Sequence, residues 1–213
     1  YSKKSKNLYF LIEKRFSWMN RFIKPDHKGL EVGAGAGFSK ECIKCKNFKI
    51  SDYADFDFLD HKNVNVLKMP FPNNTFDFVI SSNVIHHVPY PMIFLEEIRR
   101  VLKSNGKLII QDVNCSLAHQ ILILLMKHEG FNFESNVFDK DECSTDKNDL
   151  WSGNNAIPNL LFDNMNKFNN KVPGFTITHH SYSECLCFMN SGGVISKVFY
   201  LPMNRFFLNF LHL

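Results

Sequence analysis

The stretch Glu31-Val32-Gly33-Ala34-Gly35-Ala36-Gly37 decides the fold, because it joins an apolar segment to a polar one through three glycines at alternate positions. Residues 29–32 predict a short buried strand, and residues 39–45 predict a helix. Glycine lets the backbone turn tightly and lets a ligand lie against it with no Cβ in the way. The stretch therefore predicts a ligand-binding turn between a strand and a helix.

Strands and helices alternate along the first half of the chain. A helix is predicted before the turn at 8–23 and another at 91–102, from apolar residues at three- and four-residue steps. Further strands are predicted at 47–52, 64–66, 76–81 and 107–113. This alternation predicts an α/β fold, Rossmann-like and doubly wound, with a mostly parallel sheet and helices on both faces.

The second half of the sequence is less regular and predicts a C-terminal cap of helices and loops. Helices are expected at 117–128 and 158–168, a polar loop at 132–155, and strands at 175–180 and 194–200. We predict a single domain over residues 1–213. Its parts would be an N-terminal helix (1–28), a ligand-binding core (29–115), and a substrate-side cap with the final strands (116–213).

The spacing of the glycines narrows the class of ligand. A dinucleotide-binding loop has its third glycine one position later, where this chain has Phe38. Glu31, two residues before the first glycine, would repel a pyrophosphate and attract a cationic amino group. The pattern therefore favours the sulfonium nucleoside S-adenosylmethionine, and a nicotinamide-dependent oxidoreductase stays as an alternative.

A carboxylate at the end of the second strand would complete such a site, because it can accept two hydrogen bonds from a ribose. Asp52 is the natural candidate, and Asp55 is the alternative.

Three later blocks carry a resemblance to a known family. They are Met69-Pro70-Phe71 with Phe76-Asp77, the pair His86-His87, and Arg100-Val101-Leu102-Lys103-Ser104-Asn105-Gly106. In this order they resemble the small class I methyltransferases related to the ubiquinone/menaquinone methyltransferases, although Ser104-Asn105 replaces the usual Pro-Gly. The resemblance implies S-adenosylmethionine as cofactor and S-adenosylhomocysteine as product.

The resemblance also implies which residues bind the cofactor. Asn65 stands where the family often has an Asp near the adenine, Met69 would pack on the adenine, and Asn83 would face the methionyl end. The full implied set is Glu31, Gly33, Ala34, Gly35, Gly37, Asp52, Asn65, Val66, Met69 and Asn83.

Three residues beyond the later strands are candidates for catalysis. His86 and His87 follow the fourth predicted strand and Asp112 lies at the end of the fifth, so any of them could remove a proton from a hydroxyl. Alternatively, the histidines only pack the turn, and alignment of the reactants supplies the rate. Cys42 and Cys45 form a lone C-x-x-C, and we expect no metal.

Candidate substrate contacts lie in the second half: His128, Glu129, Trp151 and Asn154. The chain resembles a bacterial subgroup with "HE", "GN-AIP" and "SGG" motifs, associated with surface polysaccharide or glycolipid pathways. An aromatic side chain among amides suits a sugar, whereas an ordinary loop covering the cofactor is the alternative. We therefore expect a small-molecule, sugar or lipid-linked acceptor, methylated on oxygen or nitrogen.

The composition of the chain limits which partners and which location can be expected. The net charge of +4 arises from scattered residues, which disfavours nucleic acid as a partner. No apolar run is long enough to span a bilayer, no targeting signal is visible, and six cysteines suggest free thiols, so we expect the cytoplasm. The Phe-rich C-terminal end is compatible with a homodimer face or a peripheral membrane contact. A catalytically silent S-adenosylmethionine-binding protein is the remaining alternative.

Overall fold

The computed structural model describes residues 6–126, 129–149 and 151–182. The strands are β1 (Lys28–Val32), β2 (Asn47–Ile50), β3 (Phe76–Ser82) and β4 (Leu102–Gln111). The α-helices are α1 (Lys6–Ser17), α2 (Pro91–Val101), α3 (Leu117–Met126), α4 (Ile157–Phe162) and α5 (Met165–Lys171). Short 3-10 helices cover Trp18–Phe22, Phe38–Glu41 and Ile85–His87.

The four strands form one parallel sheet in the order β2-β1-β3-β4. The chain passes from β1 to β2 on one side and then returns to place β3 on the other side of β1. Ligands of such sheets bind beyond the carboxyl ends of the strands, at the point where the strand order reverses. The Rossmann-like fold class is confirmed, and the reversal lies between β1 and β3.

The core around the sheet is built from β-branched and aliphatic side chains of the strands and the inner side of α2. Leu30 and Val79 from the sheet belong to the same buried cluster as Phe94, Leu95 and Ile98 from α2. Burying a side chain of this size stabilises the fold by about 1.5–3 kcal/mol. This packing fixes the strand ends, and with them the loops that carry polar residues.

The chain separates into two compact units. In the described residues of the first unit, which takes in 1–24 and 38–44, α1 buries Leu8, Leu11 and Phe16. The second unit, residues 25–37 and 45–180, contains the sheet and helices α2 to α5. A single domain over 1–213 stays a prediction.

Six predicted elements differ from the structure by more than two residues. The predicted strand 107–113 is β4, which begins at Leu102, and the predicted helix 8–23 is α-helical only to Ser17 and continues as a 3-10 helix. Residues 64–66 form no strand, because the positive φ of Asn63 (55°) turns the chain and only a Ser51–His61 bridge remains. The predicted helix 39–45 is a single turn, since Cys42 and Ile43 both donate to the Ser39 carbonyl before the turn ends.

The other two differences lie near the end of the described chain. The predicted helix 158–168 divides into α4 and α5, because the Asn164 side chain accepts from the backbone of Lys167 and starts a new helix. Residues 175–180 form no strand; the Ile177 amide donates to the Asn169 side chain instead of to a neighbouring strand. The predicted strand 194–200 and the Phe-rich end lie outside the described residues.

Candidate active site

The glycine turn after β1 has the backbone that its sequence predicts. Gly33, Gly35 and Gly37 all have positive φ (65°, 51° and 72°), a region that side chains rarely adopt. A Cβ on Gly33 would lie 2.3 Å from Val84 Cγ2, whereas a Cβ on Gly35 would meet no protein atom within 4 Å. Gly33 is therefore required by packing, and Gly35 borders open space.

Asp52 closes the other side of this turn. Its Oδ2 accepts from the Gly35 amide at 2.8 Å, and its Oδ1 accepts from the Ala54 amide at 2.9 Å. Asp55 instead pairs with Lys62 at 2.9 Å on the surface. A carboxylate has room for further hydrogen bonds, so Asp52 is the acid that can serve a ligand lying against Gly35.

The other predicted cofactor residues occupy varied environments. Glu31 is buried, with 1% of its surface exposed. Asn65 is exposed and its side chain accepts from the Leu67 amide, Val66 is half-buried, and Met69 lies in the core. Asn83 turns the chain at the end of β3 with a φ of 57°.

A charged pair on α2 holds the segment that contains Met69. Glu97 Oε1 accepts from the Met69 amide at 2.6 Å, and Arg100 donates to the carbonyls of Met69 and Phe71. Glu97 and Arg100 also pair with each other at 2.7 Å. The hydrogen bond from Arg100 is the largest cause that lowers the pKa of Glu97.

A polar cluster lies beyond the carboxyl ends of β3 and β4. His86 Nδ1 and Asp112 Oδ1 are 2.5 Å apart, with 4% and 2% of the two side chains exposed. Asp112 Oδ2 accepts from the amides of Val84 and Ile85, both at 2.9 Å. Asp112 thereby fixes both the imidazole and the turn that carries it.

Glu129 completes the cluster from a segment that follows α3. Its carboxylate lies 3.5 Å from His86 Nε2 and 3.9 Å from His87 Nε2. His87 Nδ1 is 3.1 Å from the Ser152 carbonyl oxygen. The Asn155 side chain donates to Glu129 Oε2 at 3.1 Å. The cluster therefore combines two imidazoles with two carboxylates.

The pKa values of the two histidines are shifted in opposite directions. Burial disfavours the charged form of His86, but Asp112 and then Glu129 outweigh it and raise the pKa of His86. Burial, reinforced by the neighbouring His86, lowers the pKa of His87. Adjacent groups with divergent proton affinities are typical of sites that handle protons or cations.

The glycine turn and the two histidines lie in a part of the chain that matches a known family, whereas Asp112 and Glu129 lie beyond it. Residues 30–110 match the family model described as a methyltransferase domain. Over these residues the chain is therefore similar to a methyltransferase domain. The methyltransferase expectation drawn from the motifs is therefore confirmed for this segment. Neither a nicotinamide-dependent oxidoreductase nor a catalytically silent binding protein is favoured.

Two curated relatives and one solved structure illustrate the extent of the similarity. The uncharacterized protein MJ0638 of Methanocaldococcus jannaschii is 47% identical over 68 residues, 32% of this chain and 27% of that protein. A demethylmenaquinone methyltransferase of Bacillus licheniformis is 31% identical over 75 residues, 35% of this chain and 31% of that protein. The PH0226 protein of Pyrococcus horikoshii OT3 has a TM-score of 0.46 and 22% identity, covering 55% of this chain and 58% of that chain. The chain thus spans less than two thirds of the length of each.

The predicted substrate residues that the structure describes follow the segment matched by the family model. Glu129 is in the cluster, and Trp151 is 79% exposed. Asn154 is buried and holds the loop together, because its side chain accepts from Asn132 and Ala156 and donates to the Asn132 and Ser144 carbonyls. It faces the loop interior, where its polar atoms bond to the chain itself. His128 lies outside the described residues.

Four residues of the site escaped sequence reasoning. Ser152 and Asn155 contact the cluster, and Glu97 and Arg100 hold the Met69 segment. Arg100 belongs to a quoted motif block and Glu97 lies one helical turn before it, so the position of this pair could have been found from the helical spacing. Within the described residues, no helix combines the length and the apolar character that crossing a bilayer requires.

Proposed function

We propose that the whole protein transfers a methyl group from S-adenosylmethionine to a hydroxyl of a small-molecule, sugar or lipid-linked acceptor. One observation carries this proposal: the glycine turn with Asp52 and the histidine cluster lie on the same edge of the sheet, on opposite sides of the strand-order reversal. A cofactor lying over the first would present its reactive end towards the second.

The cofactor side fits a sulfonium nucleoside. The open space at Gly35 accepts a flat ligand edge, and Asp52 Oδ2 stands at its border to receive ribose hydroxyls. In our proposal Glu31 balances the positive charge of the methionyl amino group, while Asn65, Val66 and Met69 border the adenine. The bound cofactor supplies an electrophilic methyl group and leaves as a neutral thioether.

The acceptor side favours oxygen over an amine. A hydroxyl must lose its proton when it becomes an ether, whereas a neutral amine can attack first. The cluster of His86, Asp112 and Glu129 is equipped to bind a hydroxyl and to make the loss of that proton easier. His87 borders the same space. Asn83, between the two sides, would orient the reacting ends.

An exposed apolar face on α3 supports a lipid-linked acceptor. Leu117, Ile121, Leu124 and Leu125 are 73%, 51%, 67% and 75% exposed, and their spacing places them along one side of the helix. Apolar surface of this kind marks contacts with apolar partners. Since α3 starts five residues after Asp112, a lipid chain on this face could bring its polar end to the cluster.

The proposal is tested in two steps. Calorimetry with S-adenosylhomocysteine should show one binding site per chain. Purified protein with radiolabelled S-adenosylmethionine should then label a hydroxyl acceptor from a panel of sugars, polyprenyl-linked sugars and quinols, demethylmenaquinone included. Binding without any labelled product would favour a silent binding protein, and no binding would reject the proposal.

A further inference from the structure

Two imidazoles and a carboxylate converge at the acceptor end of the site. One ligand atom from each of His86, His87 and Glu129 lies within 4.8 Å of the other two. We propose that these three side chains bind a divalent transition-metal cation. The inference rests on the proposed function, because it states how the acceptor end of that same site works.

The distances suit coordination after small side-chain movements. Bonds from a zinc-like cation to nitrogen or oxygen are about 2.0–2.2 Å, so two ligands at a tetrahedral angle are about 3.4 Å apart. The Glu129 carboxylate already lies 3.5 Å from His86 Nε2 and 3.9 Å from His87 Nε2. Rotations within each side chain could bring all three atoms onto one ion.

The Nδ1 atoms of both imidazoles, which point away from the proposed ion, already have the partners that they would have around a metal. A carbonyl oxygen can only accept, so its contact with His87 Nδ1 places the proton there and leaves the Nε2 lone pair facing Glu129. His86 Nδ1 faces Asp112, whose other oxygen accepts two backbone amides. Metal-binding histidines almost always carry such a carboxylate or carbonyl behind them.

Electrostatics gives the cluster a reason to bind a cation. With Nδ1 protonated on both rings, two nitrogen lone pairs face a carboxylate, and groups of like polarity repel more strongly where water is scarce. The His86 side chain is 4% exposed and the Glu129 side chain 19% exposed. A divalent cation would convert this repulsion into attraction; a proton held by His86 is the competing solution.

The ligand set indicates the class of metal and its use. Two imidazoles with one carboxylate suit zinc, iron(II) and their first-row neighbours, and leave coordination positions open. The His87 side chain is 24% exposed, so the cluster opens on that side. An acceptor hydroxyl bound there would become more acidic, which is what transfer to oxygen needs.

The test uses the full chain, stripped of metal by chelation and titrated with Co²⁺ while its visible absorption is followed. We expect one Co²⁺ per chain, with bands that Zn²⁺ abolishes by displacement. His87→Gln and Glu129→Gln should each weaken binding at least tenfold. Absence of binding by the wild type, or wild-type affinity in both variants, would overturn the inference in favour of a proton-filled cluster.

Matched controls locate the ion. His61→Gln removes an imidazole whose ring packs on Phe71, and the double change Cys42→Ser, Cys45→Ser removes the C-x-x-C pair. Both should keep the wild-type affinity; loss of the Co²⁺ bands in the double variant would place the metal on the thiols and reject our assignment. Asp112→Asn tests the positioning role: we expect about 10- to 100-fold weaker binding and an altered Co²⁺ spectrum.

Binding of S-adenosylhomocysteine to the stripped protein separates this inference from the proposed function. Retained nucleoside binding without any Co²⁺ site would reject the metal and leave the proposed function standing. A Co²⁺ site without nucleoside binding would reject the proposed function and keep the metal. If one variant fails to fold by circular dichroism, the other still reports on the ligand set.

Discussion

The cofactor side and the acceptor side of this site are built in different ways. The cofactor side consists mainly of backbone, in the form of three glycines with positive φ. Its one functional side chain is the Asp52 carboxylate, which accepts a hydrogen bond from an amide 17 residues away in sequence. The acceptor side consists of side chains brought together over longer separations, 26 residues from His86 to Asp112 and 65 from His87 to Ser152.

This difference predicts which substitutions each side of the site can tolerate. A backbone cradle depends on the absence of side chains, so almost any residue other than glycine at the right position damages it. A side-chain cluster depends on the chemistry of each member, and changes there should alter catalysis without preventing the cofactor from binding. The following experiments measure how far this separation holds.

The largest effect is expected at Gly35. Gly35→Leu should abolish binding of S-adenosylhomocysteine, because the new side chain would enter the open space at the turn. The left-handed backbone should add a stability cost of about 1–2 kcal/mol, so the protein stays folded. Calorimetry and thermal unfolding report the two effects separately.

Gly33→Ala is the matched comparison for that experiment. Its Cβ would lie 2.3 Å from Val84 Cγ2, so its main effect should be on the melting temperature. If Gly35→Leu bound the nucleoside as tightly as the wild type, the cradle assignment would be wrong.

The next largest effect is expected at His86. His86→Gln should lower the rate of methyl transfer by about 100-fold or more, because the cluster that prepares the acceptor hydroxyl loses its central imidazole. Affinity for S-adenosylhomocysteine should not change. Single-turnover assays beside calorimetry check both halves, and a parallel loss of nucleoside affinity would show that the two sides are not separable.

A smaller effect is expected where α2 supports the cofactor side. Glu97→Gln should lower the free energy of unfolding by about 1–2 kcal/mol at pH 7, since the hydrogen bonds to Arg100 and to the Met69 amide lose a charge. The pKa of Glu97 is lowered in the folded state, so its contribution is present above the unfolded pKa and is lost as the pH falls through the folded value.

Denaturant titrations of wild type and Glu97→Gln therefore have a defined outcome. The difference between them should persist from pH 7 down to about pH 4 and shrink in stronger acid. A difference that does not depend on pH would mean that packing, not charge, holds the Met69 segment.

The smallest effect on the fold is expected at Trp151. Because this side chain is 79% exposed, Trp151→Ala should change the free energy of unfolding by less than about 0.5 kcal/mol. If Trp151 stacks on a sugar-bearing acceptor, KM for that acceptor should rise several-fold while kcat stays constant. An unchanged KM would assign the residue to the loop surface alone.

The sequence predicted the elements whose signals are local. β3 and α2 were placed within one residue, because a buried apolar run and a proline-started amphipathic helix each carry their own pattern. The same holds for the glycine turn and for Asp52 as the acid beside it. The prediction of a strand at residues 64–66 was wrong for a local reason as well, because the left-handed backbone at Asn63 cannot be recognised from a pattern of apolar residues.

The acceptor side was predicted only in part. His86, His87 and Asp112 could be assigned to one edge because parallel strands end together. Which parts of the loop reach them could not be assigned, since Glu129 and Ser152 are brought there by long-range contacts, among them the bridge between Gly130 and Asn154. Such a contact depends on packing of the whole loop and has no periodic signal.

The bridge between Gly130 and Asn154 also holds the two ends of the loop together. The Asn155 amide donates to the Gly130 carbonyl at 3.0 Å, and the Asn154 amide donates to the His86 carbonyl at 2.8 Å, so the two ends are fastened to each other and to the sheet edge. Val137 in the core and the Ser144 amide on the Pro89 carbonyl anchor the middle of the loop, so only exchanges confined to the exposed residues 146–149 would leave Glu129 in place. Relatives with this loop could therefore differ in the molecules they modify through its exposed tip, while the anchored parts keep the same reaction centre.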